Sequence, residues 1–248
     1  MTVQFQNYDY SYNRDGKPVF APSGLGARIG QDIKGQVEAV YVFDDFVYHL
    51  KKNGGHVAAL HTHRLHQFFA RVDIKNFFYG IAKSRVQRSL ADLGIQRARH
   101  YAKWSCVKNP FDGPRYALPY GFIQSPILAT LVLMKSAVGS FLRGVAATGH
   151  IAVSVYMDDI SLSSDDEAAL YGAFEQLKAK LQEANFEISA GKMREPSTAM
   201  DVFNCDLSHG KTEVRSDRIG EFYAEMRSPA SVDGFEEYCA RVQEGNSP

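Results

Sequence analysis

Cysteine is scarce in this sequence: Cys106, Cys205 and Cys239 are odd in number and far apart. That pattern offers neither a disulfide framework nor a zinc cluster, and it fits a reducing, cytoplasmic setting. Long apolar runs are missing too. No stretch of about 18 consecutive apolar residues occurs, so no membrane span is expected. The opening "MTVQFQNYDYSYNRDG" lacks a basic start followed by an apolar core, so no secretion signal is expected there. Internal repeats, low-complexity linkers and a nucleophilic triad are likewise missing. So is net charge, since 28 Lys and Arg balance 28 Asp and Glu.

The zero total hides a segregation. From residue 64 to 115 a run of basic residues, including Arg64, Arg71, Lys75, Lys83, Arg85 and Arg88, is opposed only by Asp73, Asp92 and Asp112. The stretch from 158 to 206 is acidic in bulk. A bipolar field of this kind offers one side to phosphates. A solvated basic helix face gives the same signature, so charge alone decides nothing. The 248 residues allow one large domain or two modest ones, and an apolar share of 45% is ordinary for a folded chain.

Periodicity predicts a mixed α+β fold. Residues 1–24, rich in Tyr, Gly, Pro and Asn, read as an extended arm or small hairpin. Helices are predicted over about 25–39, weakened by Gly26, Gly30 and Gly35, and over "YVFDDFVYHLKK" (41–52), closed by Asn53 and Gly54. "FARVDI" (69–74) alternates as a strand with Arg71 and Asp73 on one face. Val86, Leu90 and Leu93 mark a helix before Gly94, and a second basic helix spans about 96–107. Ser125 and Pro126 predict a capped apolar helix running to about Leu142. Ser164 and Glu167 predict a capping box for a helix with Leu170, Phe174, Leu177 and Leu181 on one face. Short strands ("MDVFNCDL", "KTEVRS") and a last helix near 217–242 complete the chain.

The chemistry rests on "VSVYMDDISLSS" (153–164). Alternation on both sides of Asp158 and Asp159 reads as strand, tight turn, strand. Acidic turns are common, because Asp bonds nearby backbone amides, so this pair alone carries no function. Asp73 changes the weighing. If its strand and the acidic hairpin are neighbours in one sheet, carboxylates from distant sequence converge. A few carboxylates with substrate phosphates make a typical magnesium site, and two such ions serve in-line phosphoryl displacement.

Three ordered islands, "RVDIKNFF" (71–78), "LPYGFIQSP" (118–126) and "YMDD" (156–159), resemble the motifs of the reverse transcriptases of bacteria. The resemblance runs from about 69 to 206 and implies a right-hand polymerase fold, with palm and fingers and a reduced or absent thumb. It assigns 1–68 to an N-terminal arm and part of the fingers, 69–206 to the palm with a fingers insertion, and 207–248 to a short hairpin and helix. It implies RNA-directed DNA polymerase activity with two Mg2+ ions, or Mn2+ in substitution. The catalytic residues are then Asp73, Asp158 and Asp159, with the carbonyl of Ile74 completing a metal site. Phe78 falls where the family places a ring that excludes the 2′-hydroxyl; a core aromatic is its other reading. Lys192 falls near the triphosphate, and Gly121 where backbone approaches the nascent pair or template. Arg64 and Arg71 are candidates for phosphate contacts, and Phe203 and Asn204 lie in the primer-gripping hairpin. The implied partners are deoxynucleotides, DNA product, a dedicated non-coding RNA template, and a partner protein or second copy of the chain.

Departures narrow the resemblance. Tyr120 stands where the family usually has glutamine. The signatures of retron enzymes are missing, and little chain follows "DVFNCDL" compared with group II intron enzymes. The remaining similarity is to the set linked to phage defence and abortive infection. Rival readings are an RNA polymerase of the same fold, a template-independent enzyme primed on Tyr8, Tyr10 or Tyr12, and a non-catalytic RNA-binding subunit. Three smaller signals carry less. His61, His63 and His66 lack a neighbouring Cys or carboxylate and read as a polar loop or phosphate-facing group rather than a zinc site. "GLGARIG" is one residue off the dinucleotide fingerprint and the sequence shows no clear strand before it, so no dinucleotide site is expected. Tyr101 and Trp104 suit either base stacking or packing of an amphipathic helix.

Overall fold

Alternation in the sequence becomes pairing in the structure, a computed structural model that describes residues 6–247. The chain begins with β1 (Tyr8–Arg14), β2 (Lys17–Pro22), α1 (Gly24–Val40), α2 (His56–His63) and β3 (Phe68–Asp73). It continues through α3 (Lys83–Ala91), α4 (Ala98–Ser105), β4 (Val107–Lys108), β5 (Tyr116–Ala117), α5 (Ser125–Met134) and α6 (Ala137–Ala147). Then follow β6 (Ala152–Tyr156), β7 (Asp159–Ser164), α7 (Glu167–Glu183), β8 (Arg194–Ser197) and β9 (Ala199–Val202). The last elements are β10 (Cys205–Ser208), β11 (Lys211–Val214), α8 (Ser216–Tyr223) and α9 (Pro229–Gln243). No single helix among the described residues is long and apolar enough to cross a membrane. Two compact units result, each assembled from separated stretches of chain.

The first unit comprises the chain up to Phe43, Ile74–Ser140 and Leu181–Glu187. The arm is a hairpin, β1 against β2, turned at Asp15 and Gly16, both with positive φ as two-residue hairpin turns require. Residues 1–5 of that arm lie outside the described residues. Ser23 caps α1 by accepting from the Gly26 N–H at 3.1 Å. Two of the three glycines expected to weaken α1 serve packing: a Cβ on Gly26 would stand 2.4 Å from the Asn7 carbonyl oxygen and one on Gly30 2.3 Å from Gln124 Oε1, while Gly35 faces open space. Tyr101 and Trp104 of α4 are buried, and Tyr101 donates to Asp32 at 2.7 Å, so both pack rather than offer faces to bases. The apolar helix predicted to reach Leu142 stops at Met134. Ser136 Oγ donates to the Leu133 carbonyl and accepts from the Val138 N–H, ending α5 and starting α6. Ser125 is inside α5 and Gln124 precedes it as the cap, without a side-chain bond.

The second unit comprises Asp44–Asp73, Phe141–Lys180 and Ile188–Pro248. Its main sheet is antiparallel with order β6-β7-β3-β8, and β11-β10-β9 form a second sheet. Leu60, Phe69, Val202, Cys205, Leu207 and Val242 share one core between strands and helices. The cap of α7 is Asp166, whose side chain accepts from the Ala169 N–H at 3.0 Å, while Ser164 accepts from Asp166. Residues 41–52 form no helix. The Val155 N–H donates to the Phe46 carbonyl and Val155's own carbonyl accepts from Tyr48, so this segment pairs with the free edge of β6.

The histidine group lies on and after α2, not in a polar loop, and its rings serve the fold. His63 is buried between Ser163 Oγ at 2.7 Å and Ser154 Oγ at 2.8 Å. His66 meets the same Ser163 at 2.7 Å, and His61 meets the Val242 carbonyl at 2.9 Å. Burial, with His66 nearby, pulls His63 down from 6.5 to about 3. Between those values the unfolded chain binds a proton that the folded protein refuses, so stability falls as pH drops through that window. His63 is expected to contribute a loss of about 2 kcal/mol between pH 7 and 5. Urea unfolding of wild type and His63→Gln at both pH values checks this: the wild type should show the steeper decline.

Candidate active site

Strand register brings the acidic residues together. β3 pairs antiparallel with β7, so Asp73, the last residue of β3, lies opposite Asp159, and Arg71 opposite Ser161. β6 and β7 form the hairpin of the Tyr-Met-Asp-Asp stretch, with Tyr156 opposite Asp159 and a two-residue turn of Met157 and Asp158. Such turns favour glycine or asparagine at positive φ, yet Met157 sits at φ 57. A side chain in that region carries strain, of order 1–3 kcal/mol, that its surroundings must hold. His49 does so here. Its Nδ1 accepts the Met157 N–H at 3.1 Å, and its ring meets Tyr156 edge to face at 5.7 Å. Burial lowers His49 to about 4, which keeps the accepting lone pair free of a proton at neutral pH. Nothing in the sequence marked His49, because it falls in the stretch whose periodicity predicted a helix.

Each of the expected acidic residues has a distinct environment. Asp73 is 3% exposed. Its carbonyl accepts from the Ser189 N–H at 2.9 Å, and its Oδ2 accepts from Lys192 Nζ at 3.0 Å. Lys192 therefore stands beside Asp73 at the end of a short 3-10 turn. Asp158 is half-buried at the turn. Asp159 Oδ1 accepts a hydrogen bond from Arg71 Nε at 2.6 Å and forms an ion pair with the terminal Nη2 at 2.5 Å. Burial pushes the Asp159 carboxyl up to about 6 despite Arg71, and the charges of Asp158 and Asp73 push it the same way. Among the described residues no three His, Cys, Asp or Glu side chains are grouped to hold a metal ion.

A divalent cation nevertheless fits the donor chemistry. Hard carboxylate oxygens are crowded at the end of β3 and the adjoining turn, and their mutual repulsion is what a cation relieves. Ile74, the other expected donor through its carbonyl, follows Asp73 and is buried.

The remaining expected residues are placed as follows. Phe203 and Asn204 form the β9–β10 turn, at φ 54 and 60, and the Phe203 ring meets Tyr156 at 5.3 Å. "MDVFNCDL" is therefore a hairpin, not one strand. Arg64, expected at phosphates, instead donates to the Glu244 carbonyl beyond α9. Arg71, expected there too, is buried and has its guanidinium committed to Asp159 and Asp201.

In the first unit, Phe78 is 5% exposed and its ring meets Tyr120 edge to face at 4.7 Å. Tyr120 also lies under Lys17 Nζ at 5.3 Å from the ring centroid. Gly121, expected where backbone approaches nucleic acid, lies against the protein's own β2. It has φ 100, and a Cβ there would stand 2.2 Å from the Phe20 carbonyl oxygen. The close neighbour is the protein's own β2, which also donates from the Phe20 N–H to the Tyr120 carbonyl at 2.9 Å.

Residues 26–211 match the family described as reverse transcriptase (RNA-dependent DNA polymerase). The chain belongs to that family. No curated protein sequence matches the chain. Among solved structures it is similar to the foamy virus protease-reverse transcriptase in complex with dsDNA, at TM-score 0.54 and 16% identity over 95% of this chain and 43% of that one. A second structure of the foamy viral protein, a dRH form with dsDNA, gives TM-score 0.51 at 18% identity over 89% and 32%. A third, with an RNA/DNA hybrid, gives 0.50 at 19% identity over 74% and 22%. This reverse transcriptase chain spans less than half the length of those viral proteins. The likeness establishes the fold, palm and fingers with mixed helices and antiparallel sheets.

Proposed function

We propose that this chain is an RNA-templated DNA polymerase that extends a primer with deoxynucleotides. The observation that carries the reading is the register of β3 against β7, which sets Asp73 opposite Asp159 beside the Asp158 turn, inside a family match over 26–211. Asp73 and Asp158 would hold Mg2+, two ions in the family's manner with Mn2+ as a substitute, assisted by the Ile74 carbonyl and more distantly by Asp159. When bound, such ions lower the pKa of an attacking hydroxyl and offset charge on the phosphates. The chain's own residues do the rest by positioning and electrostatics. Lys192, half-exposed beside Asp73, supplies a cation for the triphosphate and a proton for departing pyrophosphate. Phe78, backed by Tyr120, excludes a 2′-hydroxyl. Phe203 and Asn204 hold the primer strand.

Around this core the reading extends to a dedicated non-coding RNA template and to a partner protein or second copy of the chain. It places the enzyme in the cytoplasm, in an antiphage defence system. The test is incorporation of labelled dNTP or NTP on RNA and DNA templates with Mg2+ or Mn2+. Deoxynucleotide extension on RNA is expected, and Phe78→Ala should raise NTP use relative to dNTP about tenfold or more, the scale of one lost steric contact. Preference for NTP in the wild type favours an RNA polymerase, and product without template favours the template-independent reading. Unchanged cellular activity of Asp73→Asn favours a non-catalytic subunit.

A further inference from the structure

Arg71 points to a division of labour among the three acidic residues. It lies in β3 two residues before Asp73, on the same face, and is 9% exposed. All three of its guanidinium nitrogens are engaged. Nε donates to Asp159 Oδ1 and Nη2 forms an ion pair with the same oxygen, while Nη1 donates to the Asp201 carbonyl at 3.1 Å and lies 4.0 Å from Asp201 Oδ2. Asp201 belongs to β9 and also receives Arg194 Nε at 2.5 Å and Arg215 Nη1 at 3.6 Å. A network of two carboxylates and three guanidinium groups thus runs from the acidic hairpin to the strand that leads into the Phe203–Asn204 turn.

We infer that Arg71 is a positioning residue that withholds Asp159 from cation binding and ties the acidic hairpin to β9. Asp73 and Asp158 are then the carboxylates that receive the ion. The absence of a three-ligand cluster among the described residues agrees with this division. So does the chemistry of the pair: an arginine that holds one carboxylate oxygen by a charge-assisted hydrogen bond and a close ion pair competes directly with a metal for that oxygen. A buried arginine engaged at every nitrogen is also poorly placed to meet a phosphate. The inference rests on the cation site proposed above and departs from it at one residue: Asp159, an assisting ligand in that reading, is assigned to Arg71 instead.

The decisive experiment removes both partners at once. A pair deleted together leaves no unmatched buried charge, whereas either single deletion does. Mn2+ binding to the purified chain, read by electron paramagnetic resonance without nucleotide or primer, is measured beside primer extension. Arg71→Met with Asp159→Asn should bind Mn2+ within about threefold of wild type, while Asp158→Asn weakens binding at least about tenfold, one decade per lost 1.4 kcal/mol. Primer extension by the double variant should exceed that of Asp159→Asn alone. Arg71→Gln with Asp159→Asn, which keeps a hydrogen-bonded pair, is the second arm if the first misfolds.

Weakening of Mn2+ binding by tenfold or more in a folded double variant would make Asp159 a ligand and overturn the inference. Failure of both double variants to fold overturns it as well, because the network would then be a requirement of folding. If the wild-type chain binds no Mn2+, the cation site itself fails, and this inference with it.

Discussion

Asp158→Asn is expected to lower primer extension by at least about a thousandfold, the scale on which loss of one preorganised electrostatic contact acts. The fold should not change. Asn keeps the size of Asp, and the turn geometry is set by the Tyr156–Asp159 pairing and by His49 holding Met157 rather than by the Asp158 charge. Electrostatics point the same way. The Asp158 charge opposes ionisation of Asp159, so neutralising it relieves repulsion within the hairpin. The melting temperature should stay within about 2 °C of wild type or rise, as for changes that touch no core packing. Asp73→Asn gives a less direct answer, because Asp73 is buried and accepts from Lys192, so its neutralisation also frees the 189–192 turn. Extension assays and thermal unfolding of Asp158→Asn separate the two roles. Activity within tenfold of wild type would remove Asp158 from the chemistry.

What the sequence made legible was whatever depends on local pattern. The hairpin at Asp15 and Gly16, the alternation of β3, β6 and β7, and the Leu170, Phe174, Leu177 and Leu181 face follow from side-chain period and turn chemistry. The acidic turn was legible as a turn, and the order of the motifs carried it to a family.

What could not be read was decided by distant partners. Residues 41–52 have helical spacing, yet the open edge of β6 offers Phe46 and Tyr48 hydrogen bonds, and Asp44 takes a two-pronged bond from Arg143 at 2.9 Å. Those tertiary contacts override a weak propensity. Arg71 and Arg64 looked like phosphate ligands because sequence shows their charge but not the partners that engage them, Asp159 and Asp201 for Arg71 and the Glu244 carbonyl for Arg64. Asp201 carried no signal at all; its importance lies in being met by Arg71, Arg194 and Arg215.

Gly121→Ala is expected to destabilise the free protein by about 3 kcal/mol or more, the range of strain at a special φ combined with overpacking. The new methyl would meet the Phe20 carbonyl oxygen at 2.2 Å, and that oxygen is backbone, not the end of a flexible chain. β2 cannot retreat without cost. It is held by the Phe20 bond to Tyr120 and by Tyr79, whose hydroxyl donates to the Pro18 carbonyl at 2.5 Å. Alanine at φ 100 is itself strained, so rotation of the local backbone offers no escape. The N-terminal hairpin should therefore loosen and become sensitive to protease, and Tyr120 should lose part of its support against Phe78. Weaker discrimination between dNTP and NTP follows if that ring pair gates the sugar. The experiment also separates two explanations of the glycine. Were Gly121 there to admit a nucleic acid, alanine would leave the free chain as stable as before and weaken only its binding to primer and template. Thermal unfolding without nucleic acid distinguishes them, and the 2.2 Å contact requires the loss to appear there.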